Sequence, residues 1–541
     1  VSIDAAAASP LTLGGLLSVQ AATRGAQDLL ICDDERLSYA EADARSRVLA
    51  RSLLALGAGK SVHVGILMPT GAAFLTSLLA ITRIGAVAIP ISTFSTADEL
   101  RWLLRNADVS VLLCARSFRS NDYVAKLCDA LPGLDASTGV RLQRADVPLL
   151  RRIVVDDDDT DMPLAIMSYS SLLACAEQID DALLDEVERD VTPSDRMVIV
   201  HTSGSTSAPK GVVHTHGALL RHVGNLNRLR RLDAGMRYFS SSPLFWIGGL
   251  AYNVLGVLSA GATLITSNAT DAARTLDLLE RERPVMVNGF AQTVAHLAKD
   301  PSFPSRDLRF IRSGNLWPIL PDDIRPVDPE LRHNMLGMTE MGSVCLMEPD
   351  ENDQPEHRRG SFGRPVTDVE TRIVDPETGA TCATDEIGEL WLRGPMLMQG
   401  YYRRERHEVF EPEGWFRSGD LFSVDAEGYF YFVGRRGDMI KTAGANVSPR
   451  EVESALREVL ADQTILVLGL PDAERGQVVV AVVIAPPTTT VDEAAIIESL
   501  RAKLSRYKVP RRVHHLTPDE VPMLSSGKID TKRLPELLRG R

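Results

Sequence analysis

VIVHTSGSTSAPKGVVHTHGALLRH, residues 198–222, is the stretch on which the reading of this chain turns. An apolar run leads into Thr202-Ser203-Gly204-Ser205-Thr206 and then into Pro209-Lys210-Gly211. Small residues let a backbone approach polyphosphate oxygens closely. Hydroxyls add donors, and a lysine brings a mobile positive charge. The spacing is not the Walker pattern G-x-x-x-x-G-K-S/T. A Ser/Thr-rich turn between strands would use the same residues without chemistry, so the rest of the chain has to decide.

Upstream, helical and strand patterns alternate. SYAEADARSRVLARSLLALG (38–57) opens on a serine with Glu41 three residues on, a capping-box signature, and its apolar positions repeat at helical spacing. SVHVGILMP (61–69) predicts a buried strand, AAFLTSLLAITRIG (72–85) a helix stopped by glycine, and AVAIPIS (86–92) the next strand. This alternation predicts a mainly parallel sheet in an α/β fold. Residues 275–300 repeat a helix–strand–helix pattern. DDDDTD (156–161) is simplest as a solvated loop, because nothing fixes a metal geometry there.

From 362 onward the texture changes. ETRIVD, GELWLRG and YFYFVG, separated by glycine turns, predict a small β-rich subdomain. After Gly434, SPREVESALREVL (448–460) predicts a helix with Pro449 in its first turn. ILVLGLPD and QVVVAVVIAP predict strands, and 492–506 a helix. A boundary near 434 is expected, dividing the chain into domains 1–433 and 434–541. The second would be an α+β module of ordinary domain size.

At 541 residues the chain is too long for one ordinary core. A net charge of −13 argues against broad nucleic-acid binding, so any nucleotide site must be locally positive within an acidic whole. The six cysteines are scattered without C-x-x-C spacing, as isolated reduced thiols would be. VSIDAAAASPLTLGG shows no secretory leader, and the most apolar stretch, 62–92, is broken by Pro69, Arg83 and Pro90. A cytoplasmic protein without a transmembrane segment is expected.

Three further blocks carry chemistry. In NMLGMTEMGS (334–343), Thr339 offers a hydroxyl to a phosphate and Glu340 a carboxylate to a hard cation such as Mg²⁺; a helix cap is the plain alternative. In WFRSGDLFSVDAEGYFYFVGRRGDMIKTAGANVSPREVE (415–453), Asp420 can accept from a sugar diol and Arg435 can donate to the same sugar; a surface ion pair is the plain alternative. In VPMLSSGKIDTKRL (521–534), Lys528 follows a glycine in a turn, where a lysine is ordinarily solvated.

In this order, from about 30 to 535, the blocks resemble those of the adenylate-forming superfamily. That superfamily holds acyl- and aryl-CoA synthetases, luciferase and peptide synthetase adenylation domains, and the likeness is greatest to a bacterial fatty-acyl-CoA synthetase. Ser207 stands where the family has glycine, Leu336 where it has an aromatic residue, Trp246 where a histidine is common, and Gly437 where Asp or Lys is usual.

The resemblance implies a large N-terminal domain of two αβ sheet subdomains and a small β-barrel-like subdomain, followed by a mobile C-terminal domain. It implies ATP, Mg²⁺ and coenzyme A as cofactors. Thr202, Ser203, Gly204, Ser205, Thr206 and Lys210 would grip the phosphates. Ser313, Gly314 and Asn315 would contact adenine, with Gly337, Met338 and Thr339 beside them, and Asp420 and Arg435 would hold the ribose. Thr202 and Glu340 would serve the metal. Thr202, Glu340 and Lys528 would carry catalysis, Lys528 polarising the bond being made. Trp246, Ile247, Gly248, Asn288, Gly289, Phe290 and Leu336 would line the acid pocket, with Met338 adding to its apolar wall. Gly437 would be the hinge, and Lys441 and Gly444 would flank the thiol tunnel.

No cation stands in these segments to hold a second carboxylate, and no aspartate to hold an amino group. The expected substrate is a hydrophobic acid, fatty or bulky and alicyclic. Loading of a separate carrier protein is one alternative, and a non-catalytic nucleotide-binding protein of the same fold is another. A homodimer is a further expectation.

Overall fold

The computed structural model describes residues 11–137, 139–157, 162–202, 209–289, 291–442, 445–460, 463–472, 475–501, 503–504, 508–524, 529–531 and 533–539. The chain divides into two units, one of Val1–Arg359, Pro365–Val369 and Gly394–Val409, the other of Gly360–Arg364, Glu370–Arg393 and Phe410–Arg541.

The first unit holds two large sheets. One has eight strands in the order Gly400–Tyr401, Lys210–Thr215, Arg196–Thr202, Val87–Pro90, His63–Leu67, Val111–Ala115, Arg152–Asp156 and Ile166–Ser168. Its pairings from Arg196–Thr202 to Ile166–Ser168 are parallel. The other has six, in the order Ser313–Gly314, Met286–Asn288, Arg237–Ser240, Thr263–Thr266, Asp28–Cys32 and Glu35–Ser38, parallel except for the last pair.

Side chains alternate across a strand, so a sheet covered on both faces must be apolar at every position. Val111 and Leu113 join one core while Leu112 and Cys114 join another. In the second sheet Tyr238, Leu264 and Met286 face the first of these cores, and Phe239, Ile265 and Val287 face a third. The shared core is filled by helices Leu13–Arg24, Tyr39–Ala55 and Ala72–Arg83. The Ser38–Glu41 capping box is present.

The second unit also has two sheets. Glu370–Val374, Gly388–Arg393, Phe416–Val424 and Phe430–Arg435 form an antiparallel sheet, with the first and last as its edges. Among the described residues this sheet is open, where a barrel-like subdomain was expected. The other joins Ala445–Val447, Ile440–Thr442, Gly476–Ile484 and Thr464–Asp472 antiparallel, with Arg512–Leu516 added in parallel. Helices Pro449–Arg457 and Glu493–Arg501 contribute Val452, Leu456, Ile496 and Leu500 to its core. The boundary expected near 434 falls inside this unit, between its two sheets. Among the described residues no helix is long and apolar enough to cross a membrane, and all six cysteines are free.

Candidate active site

Strand Arg196–Thr202 pairs antiparallel with Lys210–Thr215, and this register sets Thr202 opposite Lys210. Ser203, Gly204, Ser205 and Thr206 lie outside the described residues. Gly211 is a close-packing glycine. A β-carbon there would stand 2.8 Å from the Ile199 side chain and 3.0 Å from His201 Nε2. The Lys210 ammonium lies 4.9 Å from the centroid of the Tyr401 ring, within cation–π range.

The Thr-Glu block forms a tight corner. Leu336–Met338 pairs antiparallel with Ser343–Met347, and Thr339–Met341 makes a 3₁₀ turn between them. Met338 holds the cap position and Thr339 is the first residue of the turn, so Thr339 does not act as a helix cap. Gly342 closes the corner at φ +71°, where a β-carbon would meet Leu219 at 2.6 Å. The corner is pinned to the lysine-bearing strand, because His214 Nε2 lies 2.6 Å from the Thr339 carbonyl oxygen. Burial pushes the His214 pKa down to about 4, so the ring is neutral at pH 7 and Nε2–H donates. The Glu340 carbonyl accepts from Met398 N–H at 2.8 Å, and Glu340 Oε1 accepts from the Tyr401 hydroxyl at 2.8 Å. His214 and Tyr401 were not singled out in the sequence. Their only local signal is the apolar-flanked VVHT and the QGYY that follows MLM.

Asn288, Ser313, Gly314 and Asn315 sit at adjacent C-terminal strand ends of the six-stranded sheet, where open α/β sheets present their binding loops. Asn315 N–H donates to the Val287 carbonyl at 3.1 Å, and Gly289 N–H to Asn315 Oδ1 at 3.0 Å. Gly314, at φ +124°, is obligatory, because a β-carbon would fall 1.9 Å from the Val287 carbonyl oxygen. These four residues line one end of a cavity of about 730 Å³. Its walls mix apolar residues, among them Met236, Met286, Met335 and Met347, with charged ones that include Arg312, Arg332, Glu348 and Glu351.

Among the described residues expected in the acid pocket, Asn288 is the one on this cavity's lining. Trp246 and Ile247 are half-buried against the shared core, and Trp246 meets Phe245 edge-on at 5.7 Å. Gly248 begins a π-helix, Gly248–Leu255, with open space around its Cα. Leu336 and Met338 are half-buried and Gly337 is exposed. Phe290 lies outside the described residues.

In the second unit, the register of Phe416–Val424 on Phe430–Arg435 sets Asp420 opposite Arg435. Arg435 Nε donates to Asp420 Oδ1 at 2.8 Å; the carboxylate side chain is 4% exposed and the arginine 56%. Gly437 is exposed in the turn that follows. Lys441 stands opposite Asn446 in a strand pair. Gly444 and Lys528 lie outside the described residues.

The donors present fit an Mg-nucleotide. Glu340 is a carboxylate and Thr202 a hydroxyl, both hard oxygen ligands, and Mg²⁺ is ordinarily held by one or two carboxylates plus substrate phosphates. Among the described residues no cluster of three His, Cys, Asp or Glu side chains forms an all-protein cage, and such a shared site needs none.

The AMP-binding enzyme family matches residues 17–402, and the AMP-binding enzyme C-terminal domain matches residues 451–528. The chain is 32% identical over 507 residues to an indoleacetate–CoA ligase of Aromatoleum aromaticum, covering 91% of each chain. It is 30% identical over 522 residues to a propanoyl:CoA ligase of Mycobacterium tuberculosis whose acyl group bears a methyl-dioxo-octahydroindenyl ring system, covering 94% of this chain and 95% of the relative. A crystal structure of an anthranilate CoA ligase in complex with anthranoyl-AMP shares the fold, with a TM-score of 0.80 at 24% identity over 98% of this chain and 97% of that one. The chain therefore belongs to the AMP-binding enzyme family and is an adenylate-forming enzyme of the superfamily its motifs resemble.

Proposed function

We propose that this enzyme joins a hydrophobic, ring-bearing or fatty carboxylic acid to AMP and then to the thiol of coenzyme A. The observation that carries the substrate class is the cavity beginning at Asn288, Ser313, Gly314 and Asn315. Its volume is that of a pocket for a drug-sized molecule. Four methionines on its wall, Met236, Met286, Met335 and Met347, give an adaptable apolar face for a bulky acid, set among charged residues that include Arg312, Arg332, Glu348 and Glu351. The ring acids in the names of the two relatives support the same class.

In the first half-reaction a carboxylate oxygen attacks the α-phosphorus of ATP, and pyrophosphate leaves. The protein's part is to position the reactants and offset charge. Lys210 holds the leaving phosphates, and Thr339, fixed through its own carbonyl, offers its hydroxyl to a phosphate. Asp420 accepts from the ribose hydroxyls while Arg435 orients it. Thr202 and Glu340 hold Mg²⁺, which supplies Lewis-acid charge stabilisation when bound. Lys528 neutralises the carboxylate as the new P–O bond forms. In the second half-reaction the module from 434 onward turns about Gly437, withdrawing Lys528 and bringing Gly444 to the thiol path. The thiolate of coenzyme A then attacks the acyl carbon, and AMP leaves.

The test is a panel of acids scored by pyrophosphate release, with coenzyme A and a holo-carrier protein as parallel acceptors. Ring-bearing and medium-to-long fatty acids should give AMP, pyrophosphate and the coenzyme A thioester. Preference for short polar acids would overturn the substrate class, and adenylate without thioester across the panel would overturn the acceptor.

A further inference from the structure

Tyr401 stands between two groups that the proposed reaction uses with opposite charge. Its hydroxyl donates to Glu340 Oε1 at 2.8 Å, and its ring carries the Lys210 ammonium at 4.9 Å from the centroid. Among the described residues Lys210 and Glu340 form no ion pair with each other. Each instead leans on the same neutral side chain, and among the described residues neither enters an ion pair.

The position of Tyr401 is fixed by the sheet. Strand Gly400–Tyr401 sets Tyr401 opposite Val212 and Gly400 opposite Val213. Tyr402 N–H donates to the Gly211 carbonyl at 2.7 Å. The Tyr402 hydroxyl donates to Asp108 Oδ2 at 2.6 Å, and Arg403 pairs with the same carboxylate. The strand is thereby bolted to the phosphate-side hairpin, and the residues after it to Asp108, by bonds that do not involve the Tyr401 side chain.

We infer that Tyr401 is a positioning residue that orients the metal-binding carboxylate of Glu340 and preorganises Lys210 for the phosphates. The inference rests on the reading of Glu340 as a metal ligand. A hydroxyl on one oxygen of a carboxylate fixes its rotation and leaves the other oxygen for a hard cation. Losing a partner of this kind typically costs about 10–100-fold in metal affinity. The aromatic face holds the ammonium without consuming a donor N–H, so all three remain for phosphate oxygens.

The experiment is calorimetric binding of ATP to the full chain, in EDTA and across a Mg²⁺ titration. It compares the wild type with Tyr401→Phe, Tyr401→Leu, Tyr402→Phe and Glu340→Gln, with thermal midpoints confirming folding. Tyr401→Phe should raise the half-saturating Mg²⁺ concentration by about 10-fold and leave metal-free ATP affinity unchanged, because the ring remains beneath Lys210. Tyr401→Leu should weaken metal-free ATP binding as well. Tyr402→Phe, which loosens the strand without touching Glu340, should match the wild type in both readings. The Tyr401→Phe shift should vanish in the Glu340→Gln background, a comparison that Tyr401→Leu supplies if the phenylalanine variant does not fold. A wild-type Mg²⁺ response that Tyr401→Phe leaves unchanged, or that Tyr402→Phe shifts equally, overturns the inference alone. A wild type indifferent to Mg²⁺ overturns the Glu340 assignment and the inference with it.

Discussion

Two arginine–carboxylate pairs, one in each unit, are built inside out relative to each other. At the end of helix Ala72–Arg83, Arg83 is fully buried. Its Nη2 lies 2.5 Å from Asp43 and its Nη1 2.8 Å from Glu188, both carboxylates being partly exposed at 25% and 18%. In the second unit the carboxylate is the buried member, since Asp420 is 4% exposed and Arg435 56%. A buried cation whose two terminal nitrogens meet two carboxylates and the Ser46 hydroxyl has its charge matched inside the protein, although its Nε has no hydrogen-bond partner among the described residues. A buried carboxylate whose cation reaches into solvent leaves the donor side of the pair turned toward an arriving molecule. The first arrangement suits the scaffold, and the second is the one proposed to hold the ribose.

The largest expected effect comes from breaking the scaffold pair. Arg83→Ala should destabilise the protein by about 3–5 kcal/mol, the usual cost of removing one partner of a buried ion pair. Urea unfolding measures it. AMP affinity of the protein that remains folded should be unchanged, and a selective loss of AMP binding would erase the distinction between the two pairs.

The units differ in buried histidines as well. His201, His214, His216 and His222, all in the first unit, have pKa values pushed down to about 4, chiefly by burial. His216 must stay neutral because its Nδ1 accepts from Leu13 N–H at 3.1 Å. The folded pKa lies below the unfolded value of 6.5, so in the interval between them the unfolded chain binds more protons. Stability is then present above pH 6.5, falls as the pH drops, and has lost this contribution below about 4. Each such histidine contributes roughly 1.4 kcal/mol per pH unit within the window, on the order of 3 kcal/mol in all. His216→Gln should flatten the denaturation free energy against pH by about one proton's slope. An unchanged slope would mean that His216 is not neutral in the folded protein.

The scaffold was legible where a local rule acts alone. The Ser38–Glu41 box, the buried strands His63–Leu67 and Val87–Pro90, and the Pro449 helix start each follow from a few neighbouring residues. Proximity within the candidate site was legible where its residues lie in one short block, as Thr202 and Lys210 do, which the strand register sets opposite each other. It was not legible where residues distant in sequence converge. Tyr401 gains its meaning from a strand pairing with Val212, and the cavity wall collects Met236, Met286, Met335 and Met347 from four separate segments. Gly249 teaches a different lesson. It adjoins Gly248, one of the residues expected to line the acid pocket. In the fold a β-carbon there would sit 2.0 Å from the Pro243 carbonyl oxygen, so the backbone alone demands the glycine.

The pair proposed to hold the ribose should respond in the opposite sense to Arg83. Arg435→Ala leaves a buried carboxylate, but one beside solvent, and the expected loss of stability is about 1–2 kcal/mol. AMP affinity should fall by more than about 10-fold, as loss of a charge-assisted bond implies. Equilibrium AMP binding and urea unfolding on the same variant separate the two terms. A stability loss matching Arg83→Ala, with AMP binding intact, would make Asp420–Arg435 a second scaffold pair.

The smallest effect on stability is the sharpest on motion. Gly437 is exposed, has no positive φ, and offers no neighbouring atom within 4 Å of an added β-carbon. Alanine therefore fits this conformation, and Gly437→Ala should change stability by less than about 0.5 kcal/mol. A glycine that this arrangement does not require is informative if another arrangement does. When the turn must visit torsions closed to alanine, Gly437→Ala should slow thioester formation from supplied acyl-AMP while adenylate formation proceeds at the wild-type rate. Single-turnover measurements of the two half-reactions give the ratio directly. Equal rates in both, at unchanged stability, would reduce Gly437 to an ordinary turn residue and move the pivot elsewhere.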